Sequence, residues 1–220
     1  MIKKLLSIIF IFSGFTSFSQ NNSLGKSDPD AKKILDNVSA KFQTYKAVEA
    51  HFTLKIENSA GKALGTKSGV VSMENSKYRI SVSGQEIYSD GTNIWTYDKS
   101  ANEVQITKFD ASTSTITPQK MFTNFYDKDF LYKLNGESKL GNKTIQEIEL
   151  TPVDKTKAFF KVLVDVDKKT QSIVSTKVFQ KTGDRYTYTI TSMKTNTKLP
   201  DGLFVFNPAD YPKVEVIDLR

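Results

Sequence analysis

From Ala47 to Asp110 the apolar residues of this chain fall at every second position, and a period of two dictates strands. In His51-Phe52-Thr53-Leu54-Lys55-Ile56-Glu57 the alternation puts Phe52, Leu54 and Ile56 on one face. Val71 and Met73 continue it, then Tyr78, Ile80 and Val82, then Val104 and Ile106. Turn residues separate the runs at Asn58 to Gly61, Glu74-Asn75, Ser83-Gly84 and Asp98 to Asn102. The sharpest signal is Ser89-Asp90-Gly91-Thr92-Asn93-Ile94-Trp95-Thr96-Tyr97, which holds the only tryptophan. Asp-Gly between two strand-like runs predicts a hairpin with a two-residue type I′ turn, because that turn needs positive φ at both central positions.

Strand patterns resume at Phe130 to Leu134 and Lys143 to Leu150, and again at Phe159 to Val166, Ile173 to Phe179 and Tyr186 to Ile190. Phe204-Val205-Phe206 and Val214-Glu215-Val216 close the chain. Two helices interrupt this series. Asp28-Pro29 supplies an N-cap and a first-turn proline, followed by Ile34, Leu35, Val38, Phe42 and Tyr45 at helical spacing. Thr117-Pro118 repeats that start, and Met121, Phe122, Phe125 and Tyr126 give a short apolar face before Asp127-Lys128-Asp129. The expected fold class is α+β, mainly β: a single antiparallel sheet, long enough that it must curl, with helices over its concave side.

The first nineteen residues read as a secretory signal peptide, with Lys3 and Lys4 ahead of the apolar stretch Leu5 to Phe12 and small residues near Ser19. That stretch is too short for a bilayer span, which needs about 20 residues. The chain contains no cysteine, so neither a lipid anchor on cysteine nor a disulfide is expected. Residues 20–27 are expected to be a flexible N-terminus and residues 28–220 a single domain. Of the formal charge of +7, Lys3 and Lys4 leave with the signal, which gives a mildly basic protein. No Arg-rich helix or long basic run is present, so nucleic acid is not an expected partner. A membrane-facing or acidic protein partner fits better.

Catalytic chemistry is poorly provisioned. There is one histidine, His51, and its alternation with Phe52 places it on the solvent face. Without cysteine there is no thiolate nucleophile or metal ligand, and neither Gly-x-Ser-x-Gly nor a phosphate-cradling glycine loop occurs. Glu147 and Glu149 share one strand face, but with Ile148 and Leu150 pointing the other way they read as solvated; Asp165 and Asp167 read the same way. No enzyme activity, cofactor or metal is expected.

Four segments in order resemble the outer-membrane lipoprotein carrier family (LolA-type), over nearly the whole length after the signal. They are the first helix with the following Tyr45 to Phe52, the Gly-led strand Gly69-Val70-Val71-Ser72-Met73, the Ser89 to Tyr97 hairpin, and Leu203-Phe204-Val205-Phe206-Asn207-Pro208. The resemblance implies a half-open, strongly curved β-barrel whose hollow is covered by helices. It further implies a periplasmic, non-catalytic carrier of acylated lipoproteins, which passes them from an inner-membrane lipoprotein-releasing transporter to an outer-membrane acceptor. A monomer is expected. Family members often carry Arg-Pro after the Gly-led strand, and the arginine ties the lid helices shut. Here Asn75 and Ser76 stand in those places, with Lys77 or Arg79 nearby to take over lid control.

Such a carrier needs an apolar hollow, since each buried CH₂ of an acyl chain gains about 0.8 kcal/mol. The expected lining is Phe52, Leu54, Val71, Met73, Ile80, Trp95, Tyr97 and Ile106, with Met121, Phe122 and Phe125 from the second helix. That helix, Pro118 to Tyr126, is expected to act as a lid. A one-residue slip in register inverts a strand's whole set, so the sequence leaves open which face turns inward. The alternative is a lipid-binding module of the same shape that senses envelope stress or carries a glycolipid or polyene-lipid ester.

Overall fold

The computed structural model describes residues 27–110 and 126–220. The signal segment and the expected lining residues Met121, Phe122 and Phe125 lie outside the described residues, as does the expected lid helix apart from Tyr126.

The first helix, α1 (Pro29–Gln43), starts as the sequence dictates. Asp28 is its N-cap, accepting from the Asp30 N–H at 2.9 Å, and Pro29 opens the first turn. Asp28 also ties the helix to the sheet: its N–H donates to the Tyr132 carbonyl (2.9 Å) and its carboxylate accepts from the Leu134 N–H (3.1 Å). Eleven strands follow in mostly hairpin succession. They are β1 (Ala47–Glu57), β2 (Ala63–Glu74), β3 (Lys77–Val82), β4 (Gln85–Ser89), β5 (Asn93–Asp98) and β6 (Glu103–Lys108); then, after a one-turn helix α2 (Tyr126–Asp129), β7 (Phe130–Leu140), β8 (Lys143–Pro152), β9 (Phe159–Asp167), β10 (Ser172–Gln180) and β11 (Arg185–Thr195). A short edge strand, β12 (Glu215–Asp218), ends the chain.

All twelve strands form one sheet in the order β12-β6-β5-β4-β3-β2-β1-β11-β10-β9-β8-β7. Every pair is antiparallel except β12–β6. The edges β12 and β7 do not pair, so the curved sheet stays unclosed, as the expected half-open barrel requires. The closing join is β1 with β11, where Val48 pairs with Thr195 across nearly 150 residues of chain. Bulges opposite His51/Phe52, at Leu134/Gly136 and at Phe179/Gln180 add the local twist that bends such a sheet.

The concave face carries α1. Ala31, Leu35 and Val38 pack on Ile148, Leu150, Val162, Val164 and Val166, all of them buried. This closes the β7–β10 half. Isolated helices of about 15 residues are marginal in water, so this packing holds α1 in place.

Two turn expectations change. The Asp90-Gly91 hairpin exists, but its loop has four residues, because Ser89 pairs with Ile94. Asp90 builds it by accepting from the Thr92 and Asn93 N–H groups, both at 2.7 Å, and only Gly91 takes positive φ (+91°). The two-residue turn with both centres at positive φ is instead Ser83-Gly84 (+39° and +87°). Phe204-Val205-Phe206, expected as a strand, is a turn within a long crossing segment, residues 196–214.

Candidate functional site

Paired residues in a sheet share a face, so the registers sort every strand residue. On the concave side Phe52 pairs with Gly69 and Ile190, Leu54 with Tyr188, and Ile56 with Tyr186. Val71 pairs with Ile80 and Met73 with Tyr78. Five of the expected lining residues, Phe52, Leu54, Val71, Met73 and Ile80, therefore share one face. Met73 and Tyr78 are buried with Val48 and Ala50 beneath Phe42 and Tyr45 at the end of α1. Phe52, Leu54, Ile56, Ile80, Val82, Tyr186, Tyr188 and Ile190 are only half-buried. They make an apolar strip beside the closed half.

Gly69 gives the strip its floor. The Phe52 ring lies across it so closely that a Cβ there would sit 2.4 Å from Phe52 Cζ and 2.8 Å from the Ser81 carbonyl oxygen. On its other side the ring meets Tyr188, with centroids 6.1 Å apart and planes tilted by 52°. Burial of the Tyr188 phenol pushes its pKa up, so the hydroxyl stays neutral.

Trp95, Tyr97 and Ile106 lie on the other face. Trp95 pairs with Tyr88 and Ile106, and Tyr97 with Glu86 and Val104, one step out of phase with Ile80 and Ile87. Together with Tyr88 and Val104 they form a buried convex cluster into which the crossing segment 196–214 inserts Phe206. Phe206 meets Tyr97 at 5.3 Å and stacks on Tyr211 at 4.4 Å and 18°. The lining expected on a single face is thus divided between two. The even-numbered loops from β2 to β5 carry one alternation through, and in it Trp95, Tyr97 and Ile106 fall opposite to Ile80.

The same convex cluster engages Arg79. Its Nη2 donates to Glu86 Oε2 at 2.7 Å and its guanidinium lies 4.8 Å from the Tyr88 ring centre. Lys99 reaches the other Glu86 oxygen at 2.7 Å, and the Tyr88 hydroxyl donates to Glu86 as well. Burial by itself would raise the Glu86 pKa; the hydrogen bonds from Lys99, Tyr88 and Arg79 outweigh it and hold it at about 2. Arg79 therefore points away from α1, and its partners are convex. Lys77, paired with Glu74, shares that side, and Asn75 supplies positive φ (+53°) to the β2–β3 turn.

A second concavity, about 450 Å³, lies between α1 and β7–β8, but Asp30, Lys33, Asn37, Gln146 and Lys168 make its walls polar, with Ile34 and Leu134 as the apolar exceptions. Its chemistry suits water better than hydrocarbon. His51 is exposed, as its alternation requires, and Glu147 and Glu149 accept from the Asn135 amide at 2.9 and 3.5 Å. Among the described residues no three His, Asp or Glu side chains converge as metal ligands, and no helix is long and apolar enough to cross a membrane.

Tyr186, Tyr188 and Ile190 belong to the strip but not to the expected lining, as do Ile56 and Val82, which alternation places in line with Phe52 and Ile80. The β1–β11 pairing that brings the three β11 side chains beside Phe52, Leu54 and Ile56 is non-local and leaves no local mark.

An uncharacterized conserved protein from Thermus thermophilus superposes with a TM-score of 0.59 at 12% identity, over 86% of this chain and 99% of that one. The Mycobacterium tuberculosis lipoprotein LppX does so at 0.51 and 13% identity, over 79% and 99%. At such identities these likenesses show the shared fold alone. No curated protein matches the sequence. The family model for outer membrane lipoprotein carrier protein LolA does match, over residues 43–207, from the end of α1 through both faces of the sheet to the crossing segment, and the chain belongs to that family.

Proposed function

We propose that this protein is a periplasmic carrier that holds the acyl chains of lipoproteins against the concave strip and ferries them from an inner-membrane transporter to an outer-membrane acceptor. The carrying observation is the contrast within one face. Ile148, Leu150, Val162, Val164 and Val166 of β8 and β9 are buried under α1, whereas Phe52, Leu54, Ile80, Tyr188 and Ile190 keep apolar surface only half-buried. A monomeric protein keeps such surface for a ligand, because leaving it wet costs about 25 cal/mol per Å². The strip offers mainly hydrocarbon contact, with Lys67, opposite Leu54, as a charged neighbour on the same face. That suits a task in which cargo is held and released unchanged, and it assigns the protein no catalysis. Membership in a family of lipoprotein carriers supports the same reading.

Partial burial also matters for release. A fully enclosing cavity would collect about 0.8 kcal/mol for each CH₂ and hold a long chain too tightly to hand over. A strip that covers one side of the chain gives up part of that gain and leaves the cargo exchangeable.

The test is purification from the periplasm and native mass spectrometry of whatever co-purifies, on wild type and on Phe52→Glu and Ile80→Glu. Wild type is expected to carry acylated protein or its lipids. Each charged variant is expected to lose at least tenfold in occupancy, since an uncompensated charge must be desolvated by the chain. Melting curves of the variants control for folding. Full occupancy in both folded variants removes the strip from the mechanism.

A further inference from the structure

We infer that one rim of the sheet is a docking surface for anionic phospholipid bilayers. The rim is made of the β1–β2 turn with its flanks (residues 55–64), the β8–β9 loop and the start of β9 (153–161), and the β10–β11 turn with its flanks (177–185). The fold brings these three distant segments together. The Lys181 N–H donates to the Ala158 carbonyl at 2.8 Å, and Arg185 Nη2 donates to the Ser59 carbonyl at 3.0 Å.

Charge concentrates there. The three segments hold eight basic side chains and three acidic ones, while all other described residues together hold nineteen basic and twenty-one acidic. The positive charge that looks scattered along the sequence is therefore gathered at one end of the molecule. Glu57 neutralises part of it, bonding Lys55 at 2.9 Å and facing Lys177 at 3.6 Å. Lys62, Lys155, Lys157, Lys161, Lys181 and Arg185 have no carboxylate within ion-pair distance among the described residues. Lys181 and Arg185 are steered by backbone carbonyls, and Lys161 rests 4.6 Å from the centre of the Phe179 ring.

Apolar side chains stand exposed among these cations: Phe160 at 50%, Val153 at 53% and Leu64 at 59%. Phe160 sits at the β9 bulge, which turns it out beside Phe179 with centroids 6.1 Å apart. These three side chains occupy separate segments with lysines between them. A protein partner is met by a contiguous apolar core from which charge is depleted. Isolated apolar tips set among lysines match the bilayer interface instead, where the tips enter the acyl boundary and the ammonium groups stay with lipid phosphates.

The docking stands on this charge and exposure alone. One consequence rests on the carrier reading: the concave strip ends at Ile56 and Tyr186 beside the same turns, so a docked molecule presents the strip's end to the bilayer.

The experiment is cosedimentation of the protein without its expected signal segment, residues 20–220, with cargo-free vesicles of phosphatidylcholine, with and without phosphatidylglycerol. Wild type is expected to bind the anionic vesicles, to be released by high salt, and to bind neutral vesicles at least tenfold more weakly. Each basic group near an anionic surface contributes about fivefold. Lys155→Gln/Lys157→Gln/Lys181→Gln is thus expected to lose about 100-fold. Lys108→Gln/Lys198→Gln/Lys213→Gln, the same charge change elsewhere, is expected to lose far less. Phe160→Trp is expected to be quenched by brominated acyl chains. Equal losses in the two triple variants would overturn the proposal. So would equal binding to neutral vesicles, or binding to polyglutamate without binding to vesicles. Because no lipoprotein is present, the outcome is independent of whether the strip carries acyl chains.

Discussion

The two faces of this sheet carry similar side chains in opposite circumstances. On the convex face Tyr88, Trp95 and Tyr97 are sealed, each no more than 8% exposed, beneath Phe206 of a segment that crosses from β11 to the far edge. On the concave face Phe52, Tyr188 and Ile190 form a comparable aromatic and aliphatic surface that stays half-buried. The convex aromatics lock a crossing segment onto the sheet, and the concave ones, left half-buried, are the surface proposed to hold acyl chains. Aromatic richness by itself does not mark a binding site; what covers it decides.

The largest effect expected from this contrast is on the convex side. Phe206→Ala removes a ring that touches Tyr88, Tyr97 and Tyr211, and should cost about 3–5 kcal/mol. Denaturant or thermal melts should show a large loss of stability, while cargo bound per folded molecule stays at the wild-type level. If Phe206→Ala instead abolished binding in fully folded protein, the division of labour between the faces would fail.

Glu86 sharpens the same contrast with pH. Its carboxyl titrates at about 2 in the folded protein against an ordinary value near 4.5. A lowered folded pKa means that the stabilisation is fully present above 4.5 and is lost as pH falls from 4.5 toward 2. Glu86→Ala leaves Arg79 and Lys99 facing a buried gap and should cost about 3 kcal/mol at pH 7. The wild-type advantage over this variant should shrink steadily between pH 4.5 and pH 2, measured by urea midpoints. An advantage that does not change with pH over that interval would show that the network contributes nothing through the carboxylate.

These contrasts also show what could be read from the sequence. The capped α1 was legible because Asp28-Pro29 and the Ile34-Leu35-Val38 spacing are local signals, and most strands because alternation is local. That Phe52, Leu54 and Ile80 share a face followed from alternation through short turns; how far they are buried did not. Apolar character groups Trp95, Tyr97 and Ile106 with Ile80, although the even-numbered loops at Ser83-Gly84 and Asp90 to Asn93 put them out of phase with it; a four-residue loop shifts the pairing of β5 along β4 without changing its face. The role of Phe204 and Phe206 was hidden for a different reason. Two phenylalanines spaced by two look like a strand, and only tertiary contacts with Ala47 and Tyr97 reveal them as anchors of a crossing segment. The basic rim was hidden because three distant turns build it, with Arg185 bonding Ser59 across 126 residues of chain.

The smallest expected effect is the most specific to the strip. In Gly69→Ala the new methyl cannot share space with the Phe52 ring, 2.4 Å away, or sit comfortably 2.8 Å from the Ser81 carbonyl, which belongs to the backbone of β3. The ring can swing aside toward Tyr188, whereas the strand can only shift. Overpacking of this kind costs about 1–3 kcal/mol. A double-mutant cycle separates the two contributions. If the ring is the main obstacle, Phe52→Ala in the Gly69→Ala background should recover part of the loss, a coupling of about 0.5–1 kcal/mol. If the Ser81 carbonyl dominates, the two losses add. Binding distinguishes the faces once more. Gly69→Ala is expected to lower cargo occupancy severalfold at unchanged folded fraction, because it tilts the Phe52 ring out of the plane against which a chain would lie. An alanine variant that melts lower but carries cargo as wild type does would mean that Gly69 serves the packing of β1 on β2 and that the orientation of Phe52 is immaterial to binding.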